Sequence, residues 1–232
     1  MSRVVFWNTQ RTGRITDPAK LTAMFELVAG MGGGDYVLLC ELSTKCEWLE
    51  PQNLTYREEN AAQLCYAAYN AENYPVPLTR ITPMVTPEYL AAGFKGGGRF
   101  ENLASRALAY VGPALGVEVF AFHAPASEKA RKAVCHAACW LDAEYGGTGR
   151  FWLMVGDFNV TPDELRAARV GIDMDYLIES SGAETHVSAP GTARESWREL
   201  DYVLSNANVE VIAMPYFTWE GLSDHAPIIV EF

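Results

Sequence analysis

Four carboxylates, two amides and two histidines stand at or near the ends of apolar runs in this 232-residue chain. Asn8 follows "VVFW", Glu41 follows "VLLC", His123 follows "VFAF", and Asp157 and Asn159 follow "WLMVG". Asp224 and His225 lie between "TWEGLS" and "APIIV", and Asp201 falls inside "RELDYVL". If gathered in one pocket, Glu41, Asp157, Asp201 and Asp224 would repel one another, and at least one would hold its proton unless a cation balanced the charge. Their donor atoms are all oxygen, and the asparagine amides add two more. The natural partner is a hard cation, Mg²⁺ or Mn²⁺ in its place. Mg²⁺ takes one or two protein carboxylates and keeps waters, which leaves other carboxylates to brace a histidine or a nucleophilic water. Histidine is scarce, at four in the chain, so two at run ends are worth weighing. An imidazole ordered by a carboxylate moves a proton or steadies a developing charge. Together these groups suit metal-assisted attack of water on a phosphate ester.

Such a set works only on a scaffold that brings strand ends to one mouth. Residues 3–7 read as a strand, and 16–34 as a helix with Asp17 as N-cap, Pro18 in the first turn and glycines at its end. "DYVLLCE" is a short buried strand, "NAAQLCYAAYNAE" fits a helix, and "LTRITPMV" alternates like a strand. "GFKGGGRF" lacks the preceding strand and following helix of a phosphate-cradling loop and reads as a flexible segment. "SRALAYV" and "VEVFAFH" are strands joined by the turn "GPALG". A long helix follows, capped by Ser127, and then the strand "RFWLMVG". Thr161 to Glu164 carries a capping-box pattern that opens another helix. "ELDYVLS", "VEVIAM" and "HAPIIVEF" supply the last strands, and His186 falls in a loop near the site. The mixed order predicts a layered α/β sandwich, two sheets packed together with helices outside, as a single domain over 1–232.

The net charge of −11 argues against tight, non-specific attraction to a duplex, although local arginines can still hold a phosphate. Five cysteines without framework spacing read as free thiols in a reducing compartment. Cys135, His136 and Cys139 share one alanine-rich helix with no second ligand pair nearby, so they read as packing rather than a zinc site. The N-terminus has no apolar signal core, and no apolar run reaches ~20 residues. The expectation is a protein that is cytoplasmic where it is made, without a membrane span, and exported, if at all, by a signal-independent route.

The ordered pieces "WN", "LLCE", "FH", "GDFN", "LDY" and "SDH" resemble the endonuclease/exonuclease/phosphatase superfamily, whose members are deoxyribonuclease I-like. Longer stretches, "SRALAYVGPALGVEVFAFHAPAS" and "GDFNVTPDEL" among them, are similar to the catalytic subunits of cytolethal distending toxins. The resemblance implies a four-layer α/β/β/α sandwich of two mixed sheets with outer helices, Mg²⁺ dependence and phosphodiester hydrolysis. It implies Glu41, Asp224 and Asn8 at the metal, and Asp157 and Asn159 setting the water and the phosphate. His225 would be general base or charge stabiliser, oriented by Asp201. His123 would serve the leaving group, with its carboxylate partner open among Glu58, Glu59 and Glu72. Arg106 would hold a phosphate oxygen. The expected partner is DNA. A small phosphorylated substrate such as a nucleotide, a phosphoinositide or a lipid headgroup is the alternative favoured by the acidic charge. A third reading, a binding module that has lost catalysis, would show as a missing site residue, and none is missing.

Overall fold

The computed structural model describes residues 2–12, 18–30, 35–43, 56–57, 64–70, 76–84, 86–87, 107–126, 129–168, 176–215, 219 and 221–232. In chain order these form β1 (Arg3–Thr12), α1 (Pro18–Ala29), β2 (Tyr36–Ser43), β3 (Tyr56–Arg57), β4 (Leu64–Asn70), β5 (Thr79–Ile81), β6 (Leu108–Ala114) and β7 (Val117–Ala121). There follow α2 (Ala130–Tyr145), β8 (Phe151–Asp157), α3 (Pro162–Ala168), β9 (Leu177–Glu179), β10 (His186–Ser188), β11 (Ser196–Arg198), β12 (Asp201–Ser205), β13 (Glu210–Ala213) and β14 (Ile228–Glu231).

Two mixed six-stranded sheets carry the architecture, in the orders β13-β14-β1-β2-β4-β3 and β5-β6-β7-β8-β12-β9. The parallel pairs β1–β2 and β7–β8 lie inside their sheets. Strand periodicity explains the layers, because successive side chains point to opposite faces. Val4, Phe6, Leu38 and Val230 of one sheet meet Val119, Leu153, Val155 and Val203 of the other in the central core. The alternate residues Val5, Trp7, Val37 and Leu39 pack instead with Ala23 and Leu27 of α1. On the far side, Phe120, Trp152, Met154 and Tyr202 pack against Ala133, Val134, Ala137 and Leu141 of α2. The result is the expected α/β/β/α sandwich.

The helix expected over "NAAQLCYAAYNAE" is a strand instead, β4. Tyr66 and Ala68 face the central core while Ala67 and Tyr69 face the α1 side, so both faces of the segment are buried. A strand buried on both faces reads as a continuous apolar run, and its alanines mimic a helix. The capping box is present as expected: Thr161 N–H donates to Glu164 Oε2 at 2.8 Å, and Glu164 N–H returns to Thr161 Oγ1 at 3.3 Å. Asp17, Ser127 and the glycine-rich segment 93–100 lie outside the described residues. Cys135 and Cys139 are buried free thiols in the α2 core, and burial lowers the pKa of the buried His136. Among the described residues no helix is long and apolar enough to cross a membrane.

Candidate active site

The site begins where β1 and β2 lose register. Their parallel pairing shifts between Asn8 and Thr12, and the β2–β4 pairing shifts between Leu39 and Leu42. Such bulges re-aim side chains next to active sites. Gln10 and Glu41 both adopt positive φ there, 47° and 55°. Asn159 does so across the mouth at 52°. A left-handed backbone is costly for a side-chain-bearing residue, so three such residues around one mouth mark a place where function outweighs local comfort.

Asp157, the last residue of β8, sits at the centre. Asn8 Nδ2 donates to its Oδ2 at 2.8 Å, and the Asn159 backbone N–H donates to its Oδ1 at 2.9 Å. The Nε2 atoms of two histidines face the same Oδ2, His123 at 3.7 Å and His225 at 3.6 Å. His225 is braced on its other side, where Nδ1 lies 2.8 Å from Asp201 Oδ2. Asp201, expected inside a strand, is the first residue of β12 and stands directly opposite Asp157 in the antiparallel register, which is how it reaches this site. Thr185 Oγ1 accepts the backbone N–H groups of Leu200 and Asp201, at 3.0 Å each, and fixes the strand entry. The "W" of "WN" holds the opposite wall: Trp7 Nε1 donates to the His225 carbonyl at 2.9 Å.

The charges follow from these partners. Burial opposes a positive His225, but Asp201 and Asp157 outweigh it and push its pKa up to about 10. Burial likewise opposes a charged Asp157, and the two imidazoles hold its pKa below the ordinary carboxylate value all the same. Burial raises Asp201 to about 6, against the pull of His225. Burial also raises Asp224. Near neutrality His225 is therefore an imidazolium between carboxylates. The native state keeps a proton that the unfolded chain gives up above about pH 6.5, so the stability drawn from His225 is complete below that pH and is lost as pH rises through about 10. In thermal unfolding at pH 7 to 10 without metal, the wild-type midpoint falls with pH, and the His225→Gln protein shows a shallower fall. Parallel slopes would contradict the charged imidazole.

The carboxylates divide by access. The side chains of Glu41 and Asp224 are 17% and 22% exposed, whereas those of Asp157 and Asp201 are 2% and 1% exposed. Among the described residues Asp224 Oδ1 has no hydrogen-bond partner, and it faces His225 Nε2 at 3.8 Å. Glu41 and Asp224 thus fit a hard divalent cation that keeps part of its water shell. His225 groups closely with Asp157 and Asp201, and with His186 and Asp224. As an imidazolium it has no lone pair to give, so the oxygen set is the better donor set. Asn8 is expected at the metal, but its amide is already oriented: Oδ1 accepts Gln10 N–H at 2.9 Å while Nδ2 serves Asp157.

The fold brings Asn8, Glu41, His123, Asp157, Asn159, Asp201, Asp224 and His225 to one mouth. Arg106 lies outside the described residues, as do Glu58, Glu59 and Glu72. Among the described residues, Glu41, at 3.4 Å, and Asp157, at 3.7 Å, face His123 Nε2. Gln10 is the residue that sequence reasoning missed. Its Nε2 donates to Asp224 Oδ2 at 2.8 Å and its Oε1 accepts Asp224 N–H at 3.2 Å, a two-point clamp. It stands two residues after Asn8, in "WNTQ", but the bulge and its positive φ take it out of the strand's alternation. His186, expected in a loop, instead opens β10 and bridges to His225, with ring centroids 4.5 Å apart. Burial and the neighbouring imidazolium push His186 down to about 4.

Two sheets with these orders and a mouth at their strand ends make a deoxyribonuclease I-like fold. Solved structures share it over nearly the whole chain. A chain of the Haemophilus ducreyi cytolethal distending toxin matches with a TM-score of 0.58 and 14% identity, covering 99% of this chain and 97% of its own. CdtB, the biologically active subunit of cytolethal distending toxin, matches with a TM-score of 0.57 and 18% identity, over 99% and 96%. D. rerio TDP2 complexed with single-strand DNA product matches with a TM-score of 0.62 and 12% identity, over 98% and 97%. No protein-family model and no curated protein sequence matches the chain.

Proposed function

We propose that this protein is a divalent-metal-dependent phosphodiester hydrolase that cuts a nucleic-acid strand, DNA foremost. The observation that carries the reading is the Asp157 carboxylate between two imidazole Nε2 atoms, at 3.7 and 3.6 Å, one of them braced by a buried aspartate. Likeness of fold to a protein solved with a single-strand DNA product supports the choice of substrate.

A cation held by Glu41 and Asp224 would neutralise charge on the phosphoryl oxygens. The other roles belong to the chain itself. Asp157 is ionised at neutral pH and is aimed by Asn8, so it orients a water and takes its proton. His225 already carries a proton, so it serves as charge stabiliser rather than general base. His123, facing Glu41 and Asp157, delivers a proton to the departing alkoxide. Asn159 fixes the phosphate, Arg106 holds one of its oxygens, and Gln10 keeps Asp224 in place.

Nicking of supercoiled plasmid tests the substrate. The protein nicks with Mg²⁺ or Mn²⁺ and stops when the metal is chelated. The net charge of −11 favours a second reading, a small phosphorylated substrate. Hydrolysis of soluble phosphate esters without plasmid nicking would move the assignment there, and inactivity on both would end the hydrolase reading. A leaving-group comparison tests His123. The His123→Ala protein loses ~10²–10⁴-fold on DNA, whose leaving alkoxide needs a proton, and far less on a p-nitrophenyl ester of thymidine phosphate, whose leaving group does not. Equal losses would remove His123 from that role.

A further inference from the structure

Beside the catalytic mouth lies a second concavity of about 540 Å³, which shares Asn159 with it and is lined by Arg131, Glu164, His186, Ser188 and Arg198. Its size is that of a small-ligand site. Its walls come from three separate places: the first turn of α2, the capped start of α3, and the β10–β11 hairpin. Arg198 is held in place, its Nη2 2.7 Å from Glu164 Oε2, and that carboxylate is itself fixed by Thr161. Arg131 is exposed and forms no ion pair among the described residues. Two arginines against one glutamate leave this rim one positive charge on a chain of net charge −11.

Guanidinium groups match phosphate geometry, and a serine hydroxyl adds a donor. Because Asn159 belongs to both spaces, a ligand filling both carries its two anionic groups on neighbouring parts of one molecule. We propose that this cavity is an anion subsite that holds a second phosphate of the substrate, next to the phosphate that is cut. The inference rests on the phosphodiesterase reading for the identity of the neighbouring site. It narrows the substrate to one with two neighbouring phosphates, either successive phosphates of a nucleic-acid strand or a small bisphosphate.

Calorimetric titration in Mg²⁺ with thymidine 3′,5′-bisphosphate and each thymidine monophosphate tests this. The wild type binds the bisphosphate at least ~10-fold more tightly than either monophosphate. The Arg131→Ala protein and the Arg131→Ala/Arg198→Ala protein lose that preference with unchanged melting temperature, and Arg131→Lys keeps part of it. If Arg198→Ala lowers the melting temperature by releasing Glu164, the single Arg131 variants still decide the matter. Equal wild-type affinity for mono- and bisphosphate, or a preference that survives the double substitution, would overturn the subsite. A parallel titration with inositol 1,4-bisphosphate and inositol 1-phosphate separates the two sources: a larger preference there identifies a small bisphosphate, a larger one with thymidine a strand. Plasmid nicking by the same preparations keeps the two readings apart. Nicking without a bisphosphate preference overturns the subsite alone, and an Arg131-dependent preference in a protein that hydrolyses no ester overturns the hydrolase reading alone.

Discussion

The His225→Ala protein hydrolyses phosphodiesters ~10²–10⁴-fold more slowly than the wild type, with the loss in kcat rather than KM. His225 touches three carboxylates, Asp201 at 2.8 Å, Asp157 at 3.6 Å and Asp224 at 3.8 Å, and it is the positive charge that lets them coexist near the mouth. Its loss removes a proton-bearing group aimed at the phosphoryl oxygens and raises the proton affinity of Asp157, which then serves less well as an acceptor for the water proton. Removing one partner from a buried charge cluster also destabilises the fold. His225→Gln therefore belongs beside His225→Ala, since a glutamine amide can still donate to Asp157. The Asp201→Asn protein keeps the imidazole but weakens its brace, so its loss is smaller. If a folded His225→Gln protein keeps wild-type kcat, the imidazolium is a structural counter-ion only.

Gly156→Ala damages the fold and the site together. A Cβ on Gly156 would lie 1.8 Å from the Phe122 carbonyl oxygen and 2.8 Å from its carbon, both backbone atoms that no rotamer can move aside. The contact sits where the parallel β7–β8 pairing runs on into the site, with Phe122 N–H bonded to the Val155 carbonyl and Ala124 N–H to the Asp157 carbonyl, at 3.0 and 2.8 Å. His123 follows Phe122 and Asp157 follows Gly156, so any separation of the strands moves these two side chains of the mouth apart. Overpacking of this kind costs about 1–3 kcal/mol or more. At ~2–4 °C per kcal/mol for a chain this long, the melting temperature drops by roughly 6–12 °C at the upper end. Catalysis drops further than stability alone accounts for at a temperature where the variant is folded. A variant with wild-type melting and activity would show that the strands part there without cost.

Much of this was legible in the sequence because strand ends and chemistry coincide. Asn8, Asp157 and His225 could be named from the residues before them, and "GDFN" announced the pair around Phe158. The legible parts depend on period and punctuation, which are local. The illegible parts depend on pairing between distant segments. β4 looked helical because burial on both faces erases alternation. The small hairpin of β10 and β11 has three-residue strands, too short for a period, so His186 could not be set against His225 in advance. The partner of His123 was sought among Glu58, Glu59 and Glu72. Those three lie outside the described residues; Glu41, expected at the metal, also faces His123 at 3.4 Å, because a bulge and a positive φ turn that side chain in a way no spacing rule describes. Gln10 was overlooked for the same reason: its clamp on Asp224 spans 214 residues.

The most direct test of the proposed centre is the hydrolysis rate of a p-nitrophenyl ester of thymidine phosphate, in Mg²⁺, by the wild type and by Asp157→Asn. Asparagine keeps the size of the side chain while removing the charge that the Asn8 amide and the two imidazoles surround. The expected result is Mg²⁺-dependent release of p-nitrophenol by the wild type, reduced at least ~10²-fold in a folded Asp157→Asn protein. Release at the wild-type rate by Asp157→Asn, or no release by the wild type, would contradict a phosphodiesterase centred on Asp157.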